Sequence, residues 1–518
     1  MKEQREILWV DDEIELLRSH IIFLEQRQYR VTPVSNGDDA VSMLKEHNFD
    51  LVLLDQMMPG RDGLSTLVEI KEIDPNVPVV MVTKSEAEEL MDHAIVRQVD
   101  DYLVKPLNPH QIISVCKRIL DAQDIQEKQL GEVYVAEMNR LKRSPAVDWR
   151  GWVEIHQKLS DWDIRLERFR DMGIQSLQEE ARQEANASFG RFVTDRYRDW
   201  IEGGDAPLLS VQLIRDRILP ELERSEQVIF VVLDCMRLDQ WLAIEPLIRD
   251  YYDLTKGFYY SILPTATPYA RNGIFSGLFP SEIARAFPQY WIEQHEEGSK
   301  NRFENELLEA HLARLRPRSS QIHRYIKILS ADDVQAMRKR MDVLFSQPLT
   351  VIVVNFMDIL AHARSESEVL QEIAPDESGF RSLTRTWFQH SVLFEVLKVL
   401  AHRPCTVVLT TDHGSICGRR ATKVFGGREI SRNLRYKFGH NLRCDQRHAL
   451  YIRNPQEYKL PRESATKRYV IAKEDYYFVY PTHYHEYRRQ YRDTFQHGGI
   501  SLEEMVLPIA ILHPKLIS

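Results

Sequence analysis

The chain has few cysteines and none of them are paired in sequence. Cys116, Cys235, Cys405, Cys417 and Cys444 are scattered through 518 residues with no C-x-x-C pair, which fits buried thiols in a reducing compartment better than a disulfide framework. No apolar run approaches membrane-spanning length, and Met1 leads into a charged hexamer and a strand in place of a signal peptide, so the expected location is cytoplasmic. Internal repeats and low-complexity tracts are missing as well. There is no basic excess: a net charge of -9 argues against a chain whose main work is coating duplex DNA, while leaving room for a local basic site. What is present is ordinary for globular protein, 43% hydrophobic and 28% charged residues. The length is too great for one core and suggests about three domains.

The first 122 residues alternate strand and helix patterns. Strands are predicted at Glu6 to Val10, Tyr29 to Val34, Leu51 to Asp55, Pro78 to Thr83 and Tyr102 to Lys105, with 3.6-period amphipathic segments between and after them. This is the pattern of a five-stranded doubly wound domain. Its strand ends carry Asp11 and Asp12, Asp55, Thr83, and Lys105 followed by Pro106. Three carboxylates at neighbouring strand ends repel one another and call for a divalent cation, most naturally Mg²⁺. A lysine and a hydroxyl beside them suit a phosphoryl group on one carboxylate. Asp12 or Asp62 taken singly reads more readily as a helix N-cap.

These residues, with the Asp55-x-x-x-Pro59-Gly60 run, Gly63 and Tyr102, resemble the receiver domain of two-component response regulators, a flavodoxin-like fold. The resemblance implies that Asp55 accepts the phosphoryl group, that Asp11 and Asp12 help to hold Mg²⁺, that Lys105 pairs with the phosphate, and that Thr83 and Tyr102 form the switch. Lys84 departs from the pattern, since receivers usually carry a small residue after the switch hydroxyl. A long side chain there is placed to crowd the acyl phosphate.

From 123 to 205 strand patterns vanish. Gln126 to Lys142, Asp148 to Arg170 and Ile174 to Ile201 show helical spacing, punctuated by Pro145 and by Gly203-Gly204, and read as a small helical bundle. Trp149, Trp152, Trp162 and Trp200 fit core anchors better than a ligand cage. A bundle between a sensor and an output domain is well placed to transmit a dimerisation signal. No winged helix or helix-turn-helix follows it.

From 206 to 518 the apolar strand Val228 to Leu233 ends in Asp234, and Thr267-Pro268 looks like the head of a helix. A hydroxyl there would sit among free N–H groups able to hold a phosphate, and a nearby metal would make it a nucleophile. The strand Val351 to Phe356 precedes Asp358 and His362, four residues apart and so on one face of a helix. The strand from Thr406 ends in Asp412-His413, and His497 precedes the strand Met505 to Leu512. Together these make a two-metal constellation, in which ions about 4 Å apart would stabilise the entering and leaving oxygens of a phosphoryl transfer.

The order of these residues resembles the alkaline phosphatase superfamily and, within it, the PglZ-type domain. The resemblance implies Thr267 as nucleophile, one Zn²⁺ held by Asp234, Asp412 and His413 with Thr267, and a second by Asp358, His362 and His497. The Pro264-Thr265-Ala266-Thr267 segment resembles nucleotide phosphodiesterases that carry a phosphate-binding Asn three residues beyond the nucleophile. Ala270 stands at that position here, which leaves Arg271 or Asn272 as substitutes. Two other stretches bear on substrate. The basic residues Arg419, Arg420, Lys423, Arg428, Arg432, Arg435, Lys437 and Arg443, against the single acid Glu429, read either as a strip that steers an anion or as a solvated loop. The aromatic and basic run from Tyr476 to Tyr491 reads more readily as packing and interface than as a base-stacking platform. His483 and His485 within it read as non-ligands.

The order receiver, helical bundle and PglZ-type domain is similar to the PorX family of response regulators, linked to type IX protein secretion. That resemblance implies a sensor histidine kinase as phosphodonor, an alternative sigma factor as partner, phosphorylation-favoured homodimerisation, and zinc-dependent cleavage of phosphodiesters in linear or cyclic oligonucleotides. The competing expectation is a phosphorylation-gated protein-binding regulator whose zinc site is structural.

Overall fold

The computed structural model describes residues 5–84, 99–143, 146–167, 172–291, 301–316, 322–328, 344–427, 431 and 433–515. The chain forms two compact units, Met1–Asn139 and Arg140–Ser518. Arg428, Glu429 and Arg432 of the basic stretch, and Arg168 to Arg170 of the second predicted helix, lie outside the described residues.

The first unit contains the five expected strands, β1 (Arg5–Val10), β2 (Tyr29–Val34), β3 (Leu51–Asp55), β4 (Val79–Thr83) and β5 (Asp101–Val104), in the order β2-β1-β3-β4-β5 and all parallel. β3 and β4 are buried along their whole length, which explains their unbroken apolar runs. Apolar cores lie on both faces of the sheet, with Trp9 and Leu53 in one and Leu8 and Val52 in the other. The helices are α1 (Arg18–Glu25), α2 (Gly37–Glu46), α3 (Gly63–Ile73) and α4 (Pro109–Arg143). Asp62 is the N-cap of α3, accepting from the Ser65 N–H at 2.7 Å. α4 is a single helix of 35 residues that runs through position 122 and out of the first unit.

In the second unit α5 (Trp149–Leu166) starts at Asp148, whose carboxylate accepts from the N–H groups of Arg150 and Gly151. Its buried Trp152, Leu159, Trp162 and Leu166 recur at helical spacing. Trp200, near the end of α6 (Met172–Ile201), is buried too, and Trp152 packs edge-on against Phe189. Three of the four tryptophans are thus core anchors. Trp149 is half-buried with the Arg150 guanidinium over its ring.

The central sheet of this unit has the order β7-β19-β10-β6-β9-β8. Its strands are β6 (Val228–Leu233), β7 (Tyr252–Tyr260), β8 (His323–Ile328), β9 (Leu349–Val354), β10 (Thr406–Thr410) and β19 (Val506–Pro514). β10, β6, β9 and β8 are parallel, and β19 runs antiparallel to both of its neighbours, β10 and β7. Every residue of β6, β9 and β10 is buried. Each Val, Ile or Leu among them contributes roughly 1.5–3 kcal/mol, so a single Val231→Asp would break the sheet at its centre.

The described part of Arg419 to Arg443, for which a solvated loop is one of two readings from sequence, carries strands, as does more of the chain between β10 and β19. The chain there folds into small sheets: β11 (Ile416–Gly418) pairs with β18 (Thr494–Gln496); β12 (Arg420–Phe425) lies between β14 (Arg443–Cys444) and β17 (Tyr476–Val479); β16 (Lys467–Ala472) lies between β13 (Tyr436–His440) and β15 (Ala449–Ile452). Among the described residues no helix is long and apolar enough to cross a membrane.

Candidate active site and acidic strand-end cluster

In the first unit, Asp11 follows β1 and Asp55 ends β3, adjacent strands in parallel register. Asp11, Asp12 and Asp55 each offer a carboxylate oxygen, and these oxygens lie within 4.8 Å of one another. Asp11 and Asp55 are buried and Asp12 is exposed. Lys105 Nζ stands 2.7 Å from Asp55 Oδ2 and 2.9 Å from Asp11 Oδ2. Burial would lower its pKa, but the two carboxylates outweigh that and raise it. Thr83 is buried at the end of β4, whereas Tyr102 is 39% exposed on β5 and Lys84 is exposed. Gly63 is required here because a Cβ would lie 2.2 Å from the Asp55 carbonyl oxygen. Three oxygens and a single ammonium form an oxygen-rich cleft that fits a hard cation such as Mg²⁺.

In the second unit, parallel register sets Leu233 of β6 beside Val354 of β9, and Thr410 of β10 beside Val232. The three strands therefore stop at one level. Asp234 follows the first; Asp358 and His362 sit in the helix Phe356–Glu366 after the second; Asp412 and His413 follow the third. The ligand atoms of Asp234, Asp412 and His413 lie within 4.8 Å of one another, as do those of Asp358, His362 and His497. The two triads adjoin: the His413 and His497 rings stack with centroids 4.3 Å apart.

His497 is carried by a loop that needs its glycines. Gly498 has φ of +115°, and a Cβ there would lie 2.4 Å from the Tyr436 ring. His413 Nδ1 is 3.1 Å from the Gly414 carbonyl, an acceptor that fixes the proton on Nδ1 and turns the Nε2 lone pair into the site. That Nε2 is 2.9 Å from Thr267 Oγ1, 3.6 Å from Asp234 Oδ1 and 3.7 Å from Asp412 Oδ2. The Cys235 N–H holds Asp412 Oδ1 at 3.3 Å, leaving Oδ2 directed inward.

The electrostatics call for a cation. Burial pushes the Asp234 carboxyl up, against the opposing pull of Arg271, and burial together with Asp234 pushes Asp412 well above the carboxylate range. Burial likewise drives the His413 imidazole well below its ordinary value. Burial would also raise Asp358, but His362 and His497 outweigh it and hold that carboxyl low. Asp234 Oδ1, Asp412 Oδ2 and His497 Nδ1 are buried without a hydrogen-bond partner, Asp234 Oδ2 meets the Arg271 guanidinium, and Asp358 Oδ1 faces the His362 and His497 rings at 3.5 and 3.4 Å. Carboxylate and imidazole donors left unsatisfied in this way fit two Zn²⁺ ions.

Thr267 opens the helix Thr267–Ser276 and is 8% exposed. The sequence led us to expect several free N–H groups at this helix head, and the structure narrows them to one. Pro268 has no N–H, and the N–H groups of Tyr269 and Ala270 both donate to the Ala266 carbonyl, so only the Thr267 N–H remains. Of the two substitutes for the missing Asn, Asn272 turns its Nδ2 back to the Pro268 carbonyl at 3.0 Å. Arg271 reaches the site, with Nη1 2.6 Å from Asp234 Oδ2 and Nε 2.5 Å from Glu304 Oε1.

The described part of the basic stretch is mostly engaged in structure. Arg435 pairs with buried Glu504 at 2.6 Å, Lys437 donates to the Ser431 carbonyl, Arg419 pairs with Glu179, and Arg420 pairs with Glu474. Tyr476 stacks on His448, and the Tyr477 hydroxyl donates to the Arg488 carbonyl, as the packing reading expects. His483 and His485 belong to neither triad. Sequence reasoning passed over Glu304 and Glu504. Only Glu504 left a signal, the Ser501-x-x-Glu504 pattern, which here caps a helical turn.

Comparison with known proteins divides the chain in the same terms. Residues 213–512 match the BREX system PglZ alkaline phosphatase-like domain, residues 7–117 the response regulator receiver domain, and residues 124–201 the PorX response regulator linker domain. The transcriptional regulatory protein ResD of Bacillus subtilis (strain 168) is 36% identical over 117 residues, 23% of this chain and 48% of ResD. ZraR of Klebsiella oxytoca is 33% identical over 145 residues, 28% of this chain and 33% of that protein. The chain thus spans half or less of the length of these two relatives. Among solved structures, the receiver domain of NtrX from Brucella abortus is 29% identical, covering 22% of this chain and 98% of that one, with a TM-score of 0.21. Vibrio cholerae CheY4 is 24% identical over 23% of this chain and 99% of its own, with a TM-score of 0.22.

Proposed function

The chain belongs to the PglZ alkaline phosphatase-like family, with a response-regulator receiver and a PorX-type linker ahead of that domain, and from this we propose a zinc-dependent phosphodiesterase controlled by phosphorylation of Asp55. The observation that carries the reading is the Thr267 hydroxyl, 2.9 Å from His413 Nε2 and flanked by two triads of unsatisfied ligands. Bound Zn²⁺ ions would supply charge for the phosphate oxygens and acidify a hydroxyl beside them.

The chain's own residues do the rest. Thr267 Oγ1 attacks phosphorus in line, forming a phosphothreonine as the bond to the leaving alcohol breaks, and water then hydrolyses that ester to restore the threonine. The Thr267 N–H lies at the same end of the helix, and Arg271 brings a fixed positive charge to Asp234. Zn²⁺ would be held by Asp234, Asp412 and His413 in one place and by Asp358, His362 and His497 in the other. In the receiver, Asp11, Asp12 and Asp55 would hold Mg²⁺, with Lys105 on the phosphoryl group and Thr83 and Tyr102 reporting its presence.

A receiver implies a phosphodonor such as a sensor histidine kinase. We further propose linear or cyclic oligonucleotides as substrates, phosphorylation-favoured homodimers, an alternative sigma factor as partner, and a role in type IX protein secretion, each following the PorX-like order of domains. One observation favours the second reading, a protein-binding regulator with a structural or inactive zinc site. Arg271 already neutralises Asp234, the task a catalytic ion would perform.

The deciding experiment compares full-length protein, zinc-loaded, with Thr267→Val on bis-p-nitrophenyl phosphate and short oligonucleotides, with and without acetyl phosphate. Loss of turnover on the order of 10³-fold or more is expected in the variant. Zinc binding with no turnover in either protein would favour the regulator.

A further inference from the structure

Two of the segments that carry the hydrolytic site, the Thr267 loop and the His497 loop, are held from outside the central sheet by one helix, α6. The Tyr197 hydroxyl accepts from the Leu263 N–H at 2.9 Å, four residues ahead of Thr267. Three turns earlier on the same face, Asn186 Oδ1 accepts from the Leu502 N–H at 2.8 Å, in the loop that follows His497. Asn186 Nδ2 also donates to the two Glu503 oxygens at 3.0 and 3.3 Å, and Arg182 Nη1 meets the same carboxylate at 2.5 Å. Tyr197 is 1% exposed and Asn186 3%.

The held segments connect directly to the site. Thr265 Oγ1 donates to the Gly499 carbonyl at 2.6 Å, which ties the Thr267 loop to the His497 loop. The Gly499 N–H donates to Glu504 Oε1 at 2.8 Å. The Glu503 carbonyl oxygen would lie 2.0 Å from a Cβ at Gly414, the residue that fixes the His413 ring. A shift of the loop by a fraction of an ångström therefore reaches His497, His413 and Thr267 together.

We propose that α6 is a working part of the hydrolytic site, with Tyr197 and Asn186 as positioning residues for its nucleophile and metal ligands. The proposal rests on reading that site as a di-zinc centre, but its readout does not require turnover. The two loops leave paired strands, with the Ser261 N–H on the Met505 carbonyl at their base, and α6 holds each of them again nearer to the ligands.

Gln178 is the natural comparator. It lies on α6 and is 5% exposed, but its amide donates only to α5, to the Leu159 carbonyl at 2.8 Å and Asp163 Oδ1 at 2.6 Å. The test uses full-length protein loaded with Co²⁺ or Zn²⁺ and the variants Tyr197→Phe, Asn186→Ala and Gln178→Ala. The d–d absorption of bound Co²⁺, the zinc affinity against a chelator, and the melting temperature are recorded for each. We expect Tyr197→Phe and Asn186→Ala to shift the cobalt spectrum and weaken zinc on the order of tenfold, the usual cost of losing a group that supports a ligand. Gln178→Ala should melt earlier while keeping wild-type spectrum and affinity. Wild-type spectra and affinities in the first two variants would overturn the proposal. So would loss of affinity in all three in step with melting temperature, or wild-type protein that binds no cobalt at this site. Wild-type protein that binds cobalt and cleaves no phosphodiester would sink the proposed chemistry and leave the positioning role standing.

Discussion

The two acidic clusters differ in how much protein surrounds them. In the first unit Asp12 is exposed and Lys105 already pairs with Asp55 and Asp11, so the cluster is partly neutralised and open to water. In the second, Asp234, Asp412 and His413 are each at most 1% exposed and apart from Arg271 their polar atoms lack charged partners, so this triad is closed, while His362 of the adjoining triad is exposed. An open cluster suits a group that is added and removed. A closed one suits ions that stay and a reaction that must exclude bulk water.

The sharpest test of that difference is metal removal. A chelator should abolish hydrolysis and lower the melting temperature of the second unit by about 5 °C, taking roughly 2.7 kcal/mol of ligand stabilisation and about 2 °C per kcal/mol for a unit of this size. The first unit should melt as before, and equal shifts in both would break the comparison. Asp55→Asn should then remove every effect of acetyl phosphate on turnover while basal zinc-dependent hydrolysis persists. An unchanged response would move control away from the open cluster.

Acid should also separate the units. His156 on α5 is buried with neither ring nitrogen bonded, and burial pulls its pKa down to about 4 from 6.5. The unfolded chain therefore binds a proton before the folded one does, and stability is lost as pH falls from 6.5 towards 4. Between pH 7 and pH 5 this amounts to about 2 kcal/mol in the second unit, and His156→Leu should flatten the loss, as followed by thermal melts at both pH values. The smallest effect expected is at Lys84, where Lys84→Ala should lengthen or shorten the acyl phosphate lifetime several-fold. Equal autodephosphorylation rates would show that its exposed side chain stays clear of Asp55.

Much of the fold was legible because buried parallel strands are written locally. The runs Leu51 to Leu54, Val228 to Leu233 and Val407 to Leu409 are apolar throughout and each is followed by a polar residue, so strand and strand end were both readable. The small sheets from Ile416 to Val479 were not. Arg435 and Lys437 look like surface residues in sequence, and only pairing with Glu504, and donation to Ser431, lets them sit buried. The head of the Thr267 helix was half legible. Its proline was visible, but the carbonyl that takes the next two N–H groups was not.

By itself the sequence determined which residue types stand at the strand ends: the carboxylates and imidazoles of Asp234, Asp358, His362, Asp412, His413 and His497, the hydroxyl of Thr267, and the aspartates and lysine of the first unit. Residue type and local period are properties of neighbouring positions. Tertiary structure alone decided the rest. Strand register brought Asp234 and Asp412, 178 positions apart, to one level. The fold put Arg271 against Asp234, and it made α6 the support of two loops that no local pattern connects. Those are contacts across large sequence separations, where the energy of burying and pairing polar groups, and not local propensity, chooses the partner.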